Sequence, residues 1–181
     1  MARNILIVSS SLRAGSNSEL ISKEVERGAL SAGNNVEFLS LKDRKIEFCI
    51  GCLKCQKQGK CILKDDMSEL IEKVNNADTL VFSTPIYYYY EMSGLLKTFL
   101  DRCNPLYIRD YHFREVYLIT ASAENSQTVY QRAKSGIEGF VECFPNAEFK
   151  GVFSGGGLTN PQEIKTHDEI LERAFAFGTK I

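Results

Sequence analysis

The chain has 181 residues, the usual size of one domain and long enough to bury a hydrophobic core without disulfides or a structural metal. Lysine and arginine total 22 and aspartate and glutamate total 23, so the formal net charge of -1 predicts no broad basic surface for nucleic acid or anionic membranes. The apolar run near the N-terminus is too short for a signal peptide or a membrane span, and we expect one cytoplasmic domain over residues 1–181.

Short apolar runs alternate with segments of helical period along the chain. The predicted strands cover residues 5–8, 36–39, 79–82, 116–120 and 149–153. The predicted helices cover residues 18–32, 66–74, 93–103, 127–144 and 167–177, with Arg102 exposed on the third and Gly178 capping the last. This alternation predicts a doubly wound α/β fold, a three-layer αβα sandwich around a five-stranded parallel sheet. Ligands of such folds bind beyond the carboxyl ends of the strands.

The loop after the first predicted strand is rich in polar side chains. It joins a buried strand to a helix, a geometry that directs free N–H groups and the positive end of the helix dipole at one point. The loop lacks the glycine and lysine patterns of ATP and dinucleotide loops, so it predicts a site for a phosphate monoester. The alternative is a capping box of Ser16 and Glu19 in an otherwise plain polar loop. The side chains available to an anion are those of Ser9, Ser10, Ser11, Arg13, Ser16, Asn17 and Ser18.

Four consecutive tyrosines follow the third predicted strand, within residues 83–90. Such rings would contact a flat aromatic ligand, while Pro85 and Ile86 would form a stiff apolar wall. An isoalloxazine ring suits this loop, with Tyr87 and Tyr88 as the preferred contacts. For at least two of the four tyrosines, the core or a subunit interface is the alternative.

The loop after the fourth predicted strand is short and polar, and it contains Ala121 and Ser122. Because it follows a neighbouring strand, we expect it on the far side of the same ligand. Together the three loops predict a cleft for flavin mononucleotide, FMN.

Four of the six cysteines crowd into an excursion at about residues 46–64, here called the cysteine segment. In a reducing compartment such crowding indicates metal or redox chemistry rather than disulfides. Repeated two-residue gaps are typical of iron-sulfur ligands, whereas zinc sites normally separate two ligand pairs by a longer stretch. A loop of reduced thiols without metal remains the alternative. The four are Cys49, Cys52, Cys55 and Cys61, while Cys103 and Cys143 are predicted to be buried on helices.

These motifs in combination resemble the NAD(P)H-dependent FMN reductases of the flavodoxin-like fold, including their iron-sulfur flavoprotein branch. The motifs are Ser-x-Ser-x-Arg-x-x-Ser-Asn-Ser at 9–18, the cysteine spacing that ends in Asp65-Asp66-Met67, Thr84-Pro85-Ile86-Tyr87, and the run at 93–102. The resemblance implies the strand order 2-1-3-4-5. It places Ser9, Ser11, Arg13, Ser16, Asn17 and Ser18 near the phosphate, Pro85, Ile86, Tyr87 and Tyr88 against the flavin, and a [4Fe-4S] cluster on the four clustered cysteines.

The activity that the resemblance implies is an FMN-dependent NAD(P)H oxidoreductase of the flavin or quinone reductase type. A hydride would pass from the nicotinamide to FMN, and the electrons then to a second acceptor, either a small molecule or a redox protein. The cofactor carries this chemistry, so no side chain is assigned as catalytic. The alternative is an iron-sulfur flavoprotein that shuttles electrons without enzymatic activity. A homodimer or homotetramer is expected, and Ser10 departs from the glycine usual in the family.

Overall fold

The computed structural model describes residues 2–181 and contains one parallel sheet. Its strands are β1 (Asn4–Ser9), β2 (Asn35–Ser40), β3 (Thr79–Pro85), β4 (Glu115–Ala121) and β5 (Glu148–Gly155), in the order β2-β1-β3-β4-β5. The helices are α1 (Asn17–Ser31), α2 (Cys55–Gln58), α3 (Met67–Asn76), α4 (Gly94–Asp101), α5 (Gln131–Glu142) and α6 (Asp168–Gly178), with 3₁₀ turns at Asn104–Ile108 and Glu163–Thr166. The predicted fold and strand order are confirmed.

Each face of the sheet has its own hydrophobic core, because side chains alternate between the two faces along a strand. In β1, Ile5 and Ile7 belong to the core shared with α1 and α6, whereas Leu6 and Val8 belong to the core shared with α3, α4 and α5. Helices therefore cover both faces of the sheet, as a three-layer sandwich requires. None of the helices in residues 2–181 has the length and apolarity needed to cross a membrane.

The contact between α1 and α6 depends on two glycines. A Cβ atom at Gly28 would lie 2.1 Å from the backbone oxygen of Phe175, and one at Gly178 would lie 2.1 Å from the backbone oxygen of Val25. The prediction that Gly178 caps the last helix is wrong, since Gly178 is the final residue of α6 itself. Its lack of a side chain lets the two helix backbones approach each other.

Two helices are shorter than predicted. The fourth begins only at Gln131, because residues 127–130 form a turn in which the Ser126 hydroxyl accepts the N–H of Thr128. It ends at Glu142. The third stops at Asp101, and a 3₁₀ turn that contains Pro105 follows it. The cysteine segment also contains the single helical turn α2, which the sequence pattern does not predict.

Candidate functional site

A cleft of about 550 Å³ opens where the loops after β1, β3, β4 and β5 meet. The loops are far apart in sequence, but parallel strands bring their carboxyl ends to one edge of the sheet. The predicted residues in the cleft wall are Ser11, Arg13, Ser16, Asn17, Ser18, Pro85, Ile86, Tyr87, Ala121 and Ser122. Leu12 and Ala123 lie in the predicted loops but were not singled out, whereas sequence reasoning missed Leu158 and Thr159, which follow β5 and which the same rule about strand ends would have found.

Besides Ser10, two predicted site residues lie outside the cleft wall. Ser9 is the last residue of β1 and pairs with β2 and β3, so its side chain is buried beneath the loop. Tyr88 is at the tip of a hairpin and is 96% exposed, which keeps its ring away from the walls. The structure therefore brings neither side chain together with the other predicted residues.

The loop after β1 ends at the first turn of α1, where Ser16 is the N-cap. Its hydroxyl accepts the N–H of Glu19 at 3.2 Å, and the carboxylate of Glu19 accepts the N–H of Gly15 at 2.7 Å. The capping role considered for Ser16 is thus present. The N–H groups of Asn17 and Ser18 have no acceptor within the helix, so this positive helix end retains donors for an anion.

Asn17 connects α1 to the loop after β5. Its Nδ2 donates to the carbonyl of Asn160 at 2.9 Å, and its Oδ1 accepts the N–H of Ile164 at 3.2 Å. A Cβ atom at Gly156 would lie 2.8 Å from the carbonyl oxygen of Glu124, so the loops after β4 and β5 are also in close contact. The side chain of Asn17 therefore shapes the wall of the cleft rather than offering a free amide.

A buried serine network lies beneath the cleft. The hydroxyl of Ser10 donates to the carbonyl of Ser83 at 2.9 Å and accepts from the hydroxyl of Ser93, the N-cap of α4, at 2.8 Å. The hydroxyl of Ser22 donates to that of Ser83 at 2.7 Å. Ser10, which stands where the resembled family usually has glycine, thus ties the loop after β1 to β3 and α4.

The tyrosine run forms a strained hairpin beside the cleft, here called the tyrosine hairpin and comprising residues 87–91. Tyr87 and Glu91 exchange backbone hydrogen bonds of 2.9 and 3.2 Å. Tyr88, Tyr89 and Tyr90 have φ angles of 43°, 48° and 94°, in the left-handed region that residues other than glycine rarely adopt. Each residue in this conformation costs about 1–3 kcal/mol of folding free energy, and such strain is concentrated at ligand sites and switch regions.

All four clustered cysteines line one small pocket of about 20 Å³. Burial and the nearby Cys61 raise the pKa of the Cys55 thiol. No three His, Cys, Asp or Glu side chains within residues 2–181 are arranged to hold a metal ion. By its chemistry the donor set nevertheless suits an iron-sulfur cluster, because four thiols line one pocket and two of them, Cys49 and Cys61, accept N–H hydrogen bonds.

The other two cysteines differ in exposure. Cys103 is buried, as predicted. Cys143 is exposed, so its predicted burial is wrong, because α5 ends at Glu142 and leaves Cys143 at the surface as its cap.

Beside the cysteine pocket, Arg102 and Asp65 form a fully buried ion pair with nitrogen to oxygen distances of 2.6 and 2.9 Å. The prediction that Arg102 is exposed is wrong. Burial alone would raise the pKa of Asp65, but hydrogen bonds from Arg102 and from the N–H groups of Glu47 and Met67 outweigh it and lower that pKa. Burial alone would lower the pKa of Arg102, but the same pair and the neighbouring Cys61 raise it.

Residues 3–135 match a family described as NADPH-dependent FMN reductase, over more than half of the chain. The chain belongs to this family. The resemblance inferred from the motifs is confirmed, and the family's description names the predicted FMN and a nicotinamide co-substrate.

Two curated relatives of this FMN reductase family member are named iron-sulfur flavoprotein. One, from Methanocaldococcus jannaschii, is 35% identical over 104 residues, which cover 58% of this chain and 53% of that protein. Another, from Archaeoglobus fulgidus, is 33% identical over 166 residues, which cover 88% of this chain and 68% of that protein. The chain thus spans about half the length of the first relative and about two thirds of the second.

A solved structure of the NAD(P)H:quinone oxidoreductase from Methanothermobacter marburgensis superposes with a TM-score of 0.72 at 18% identity, covering 99% of this chain and 97% of that one. At this identity the likeness supports the fold of the FMN reductase family member and nothing further.

Proposed function

We propose that this FMN reductase family member binds FMN in the cleft and is an NAD(P)H-dependent oxidoreductase of the cytoplasm. One observation carries the proposal: a single cleft joins a helix N-terminus with free N–H groups to an apolar wall beside an aromatic hairpin. FMN bound there would accept a hydride from NAD(P)H and pass electrons to a second acceptor, a small molecule or a redox protein.

At the phosphate end, the chain supplies hydrogen-bond donors and one positive charge. The N–H groups of Asn17 and Ser18 are free of helical acceptors, and the hydroxyls of Ser11 and Ser18 line the same wall. Arg13 is exposed at the rim of the cleft, where its guanidinium can pair with a phosphate without prior desolvation. These groups bind and orient the phosphate.

At the ring end, the chain supplies walls rather than acids or bases. Pro85 and Ile86 form one wall, while Ala121 ends the adjacent strand β4 and Ser122 follows it. Of the cleft residues in the described chain, Arg13 and Tyr87 alone have ionisable side chains. This lining positions a ring and excludes water, which suits a reaction whose chemistry resides in the cofactor.

Replacing Ser11 and Arg13 together by alanine is expected to weaken FMN binding by about 10- to 100-fold, because the phosphate loses a hydroxyl donor and a charged partner. Titration of apo-protein into FMN, followed by flavin fluorescence, measures the change. The matched control is Ser68→Ala with Arg173→Ala, both exposed and outside the cleft, and it should bind FMN as the wild type does. Equal affinity of the two double variants would place the phosphate elsewhere.

Anaerobic addition of NADH or NADPH to the FMN-loaded chain is expected to bleach the flavin absorbance within seconds, as measured by stopped-flow absorption spectroscopy. Free FMN with the same nucleotide is the control. Bleaching no faster than in that control would contradict reductase activity, whichever nicotinamide is used.

A second candidate function is electron shuttling by an iron-sulfur flavoprotein, and the cysteine pocket favours it. In this proposal Cys49, Cys52, Cys55 and Cys61 hold a [4Fe-4S] cluster, which would exchange single electrons with the flavin site. We also propose a homodimer or homotetramer that covers the tyrosine hairpin, since Tyr88 is 96% exposed in the isolated chain. Light scattering of the purified chain tests that assembly.

A further inference from the structure

Hydrogen bonds at the C-terminal end of α4 hold both ends of the cysteine segment. Arg102 caps α4 and donates to the carbonyl of Glu47 at 2.6 Å, on the N-terminal side of the cysteines. Its partner Asp65 lies on the C-terminal side and accepts the N–H of Glu47 at 2.8 Å. The buried ion pair therefore closes the base of the segment and fixes where its cysteines begin and end.

The same end of α4 also contacts two of the sulfur atoms directly. Nη2 of Arg102 donates to Sγ of Cys61 at 3.4 Å, and Nδ2 of Asn104 donates to Sγ of Cys49 at 3.7 Å. These are the first and last cysteines of the motif. A pair whose only role was structural would not need to share a guanidinium N–H with a thiol, nor would it involve the separate side chain of Asn104.

We propose that Arg102 and Asn104 are positioning residues for an iron-sulfur cluster on the four cysteines and that their N–H···S hydrogen bonds raise its reduction potential. The inference rests on the second candidate function above. Reduction adds one electron and makes the cluster and its thiolates more negative. Donors and positive charge at the sulfurs stabilise that reduced state, so their loss should make reduction harder.

The test uses the full chain, reconstituted without oxygen with ferrous iron and sulfide. The variants are Asn104→Ala, Arg102→Lys and their combination, and the matched control is Arg109→Lys, which alters an arginine that contacts Gly59 and Glu72 but no sulfur. Iron content and the midpoint potential of the cluster are measured, the latter by electron paramagnetic resonance during a redox titration. We expect a more negative potential in each variant, the largest shift in the combination, and none in the control.

An unchanged potential in cluster-loaded variants would overturn the inference while leaving the cluster itself in place. A wild-type chain that takes up no cluster would overturn both the inference and the shuttle function, whereas FMN binding would stand or fall by its own titration. If Arg102→Lys does not fold, the potential of Asn104→Ala tests the proposal, because Asn104 is only half-buried and belongs to no buried ion pair. Equal shifts in Arg109→Lys would also contradict a role specific to the sulfur contacts.

Discussion

Replacing Arg102 by methionine is expected to lower the free energy of unfolding by about 3–5 kcal/mol. The change leaves the carboxylate of Asp65 buried without its counter-charge, and the side chains of this pair are 1% and 0% exposed. For a chain of this length the loss corresponds to a fall in Tm of roughly 6–20 °C. Thermal and urea unfolding followed by circular dichroism measure both quantities.

The exposed pair of Arg132 and Glu91 provides the control, with side chains 66% and 55% exposed and 3.7 Å apart. Arg132→Met should lower stability by no more than about 1 kcal/mol, since water screens such pairs. If Arg102→Met fails to fold, the double variant Asp65→Leu with Arg102→Met removes both charges and should be more stable than the single variant. A single variant as stable as the wild type would contradict the burial of the pair.

The pH dependence of the unfolding free energy tests the same ion pair through the titration of Asp65. Its pKa is lowered in the folded chain, so its contribution to stability is fully present above the ordinary carboxyl pKa of about 3.9 and disappears as the pH falls through the lowered value. The stability difference between the wild type and Asp65→Asn should therefore shrink as the pH falls below about 4. A difference that stays constant down to pH 2 would argue against this carboxylate as its source.

Much of the cleft could be predicted because it follows from local signals and one rule of topology. The apolar runs locate the strands, and parallel strands place their following loops at one edge. The positions of Pro85, Ile86 and Ser122 in the cleft wall follow from these two features alone. Ser9 lies beneath the loop rather than in it because the strand runs one residue further than its apolar run.

The contacts that sequence reasoning missed join distant parts of the chain. The helical period of the predicted helix 93–103 leaves Arg102 on the polar face, and only the fold brings Asp65 and the cysteine segment against it. Asn17 looked free for a ligand, yet its amide bonds to Asn160, which no local pattern indicates. Pairings of this kind depend on loops whose paths are not encoded in periodicity.

Gly28→Ala is expected to lower the free energy of unfolding by about 3 kcal/mol, at the upper end of the range for overpacking. The new methyl group would lie 2.1 Å from the backbone oxygen of Phe175, and a backbone atom cannot relieve the clash by a change of rotamer as a side chain can. The gain in helix propensity of about 1 kcal/mol offsets only part of this effect. Equilibrium unfolding in urea measures the change.

Gly139→Ala is the matched control, because Gly139 lies within α5 and a Cβ atom there would meet nothing within 4 Å. The same substitution should raise stability there by about 0.5–1 kcal/mol, the propensity difference alone. Opposite signs for one chemical change at two helical glycines would isolate the close approach of α1 and α6 as the cause. Two stabilised variants would contradict that approach.

The glycine contact also bears on the cleft, because Gly28 and the N–H groups of Asn17 and Ser18, which we propose to bind the phosphate, belong to the same helix. If Gly28→Ala shifts α1 as a rigid body, the start of the helix moves with it, and FMN binding should weaken although no cleft residue has changed. If the helix instead bends at the substitution, stability falls while FMN affinity is retained. Measuring both quantities on this variant therefore shows whether packing at one end of α1 sets the geometry of the proposed phosphate site at the other.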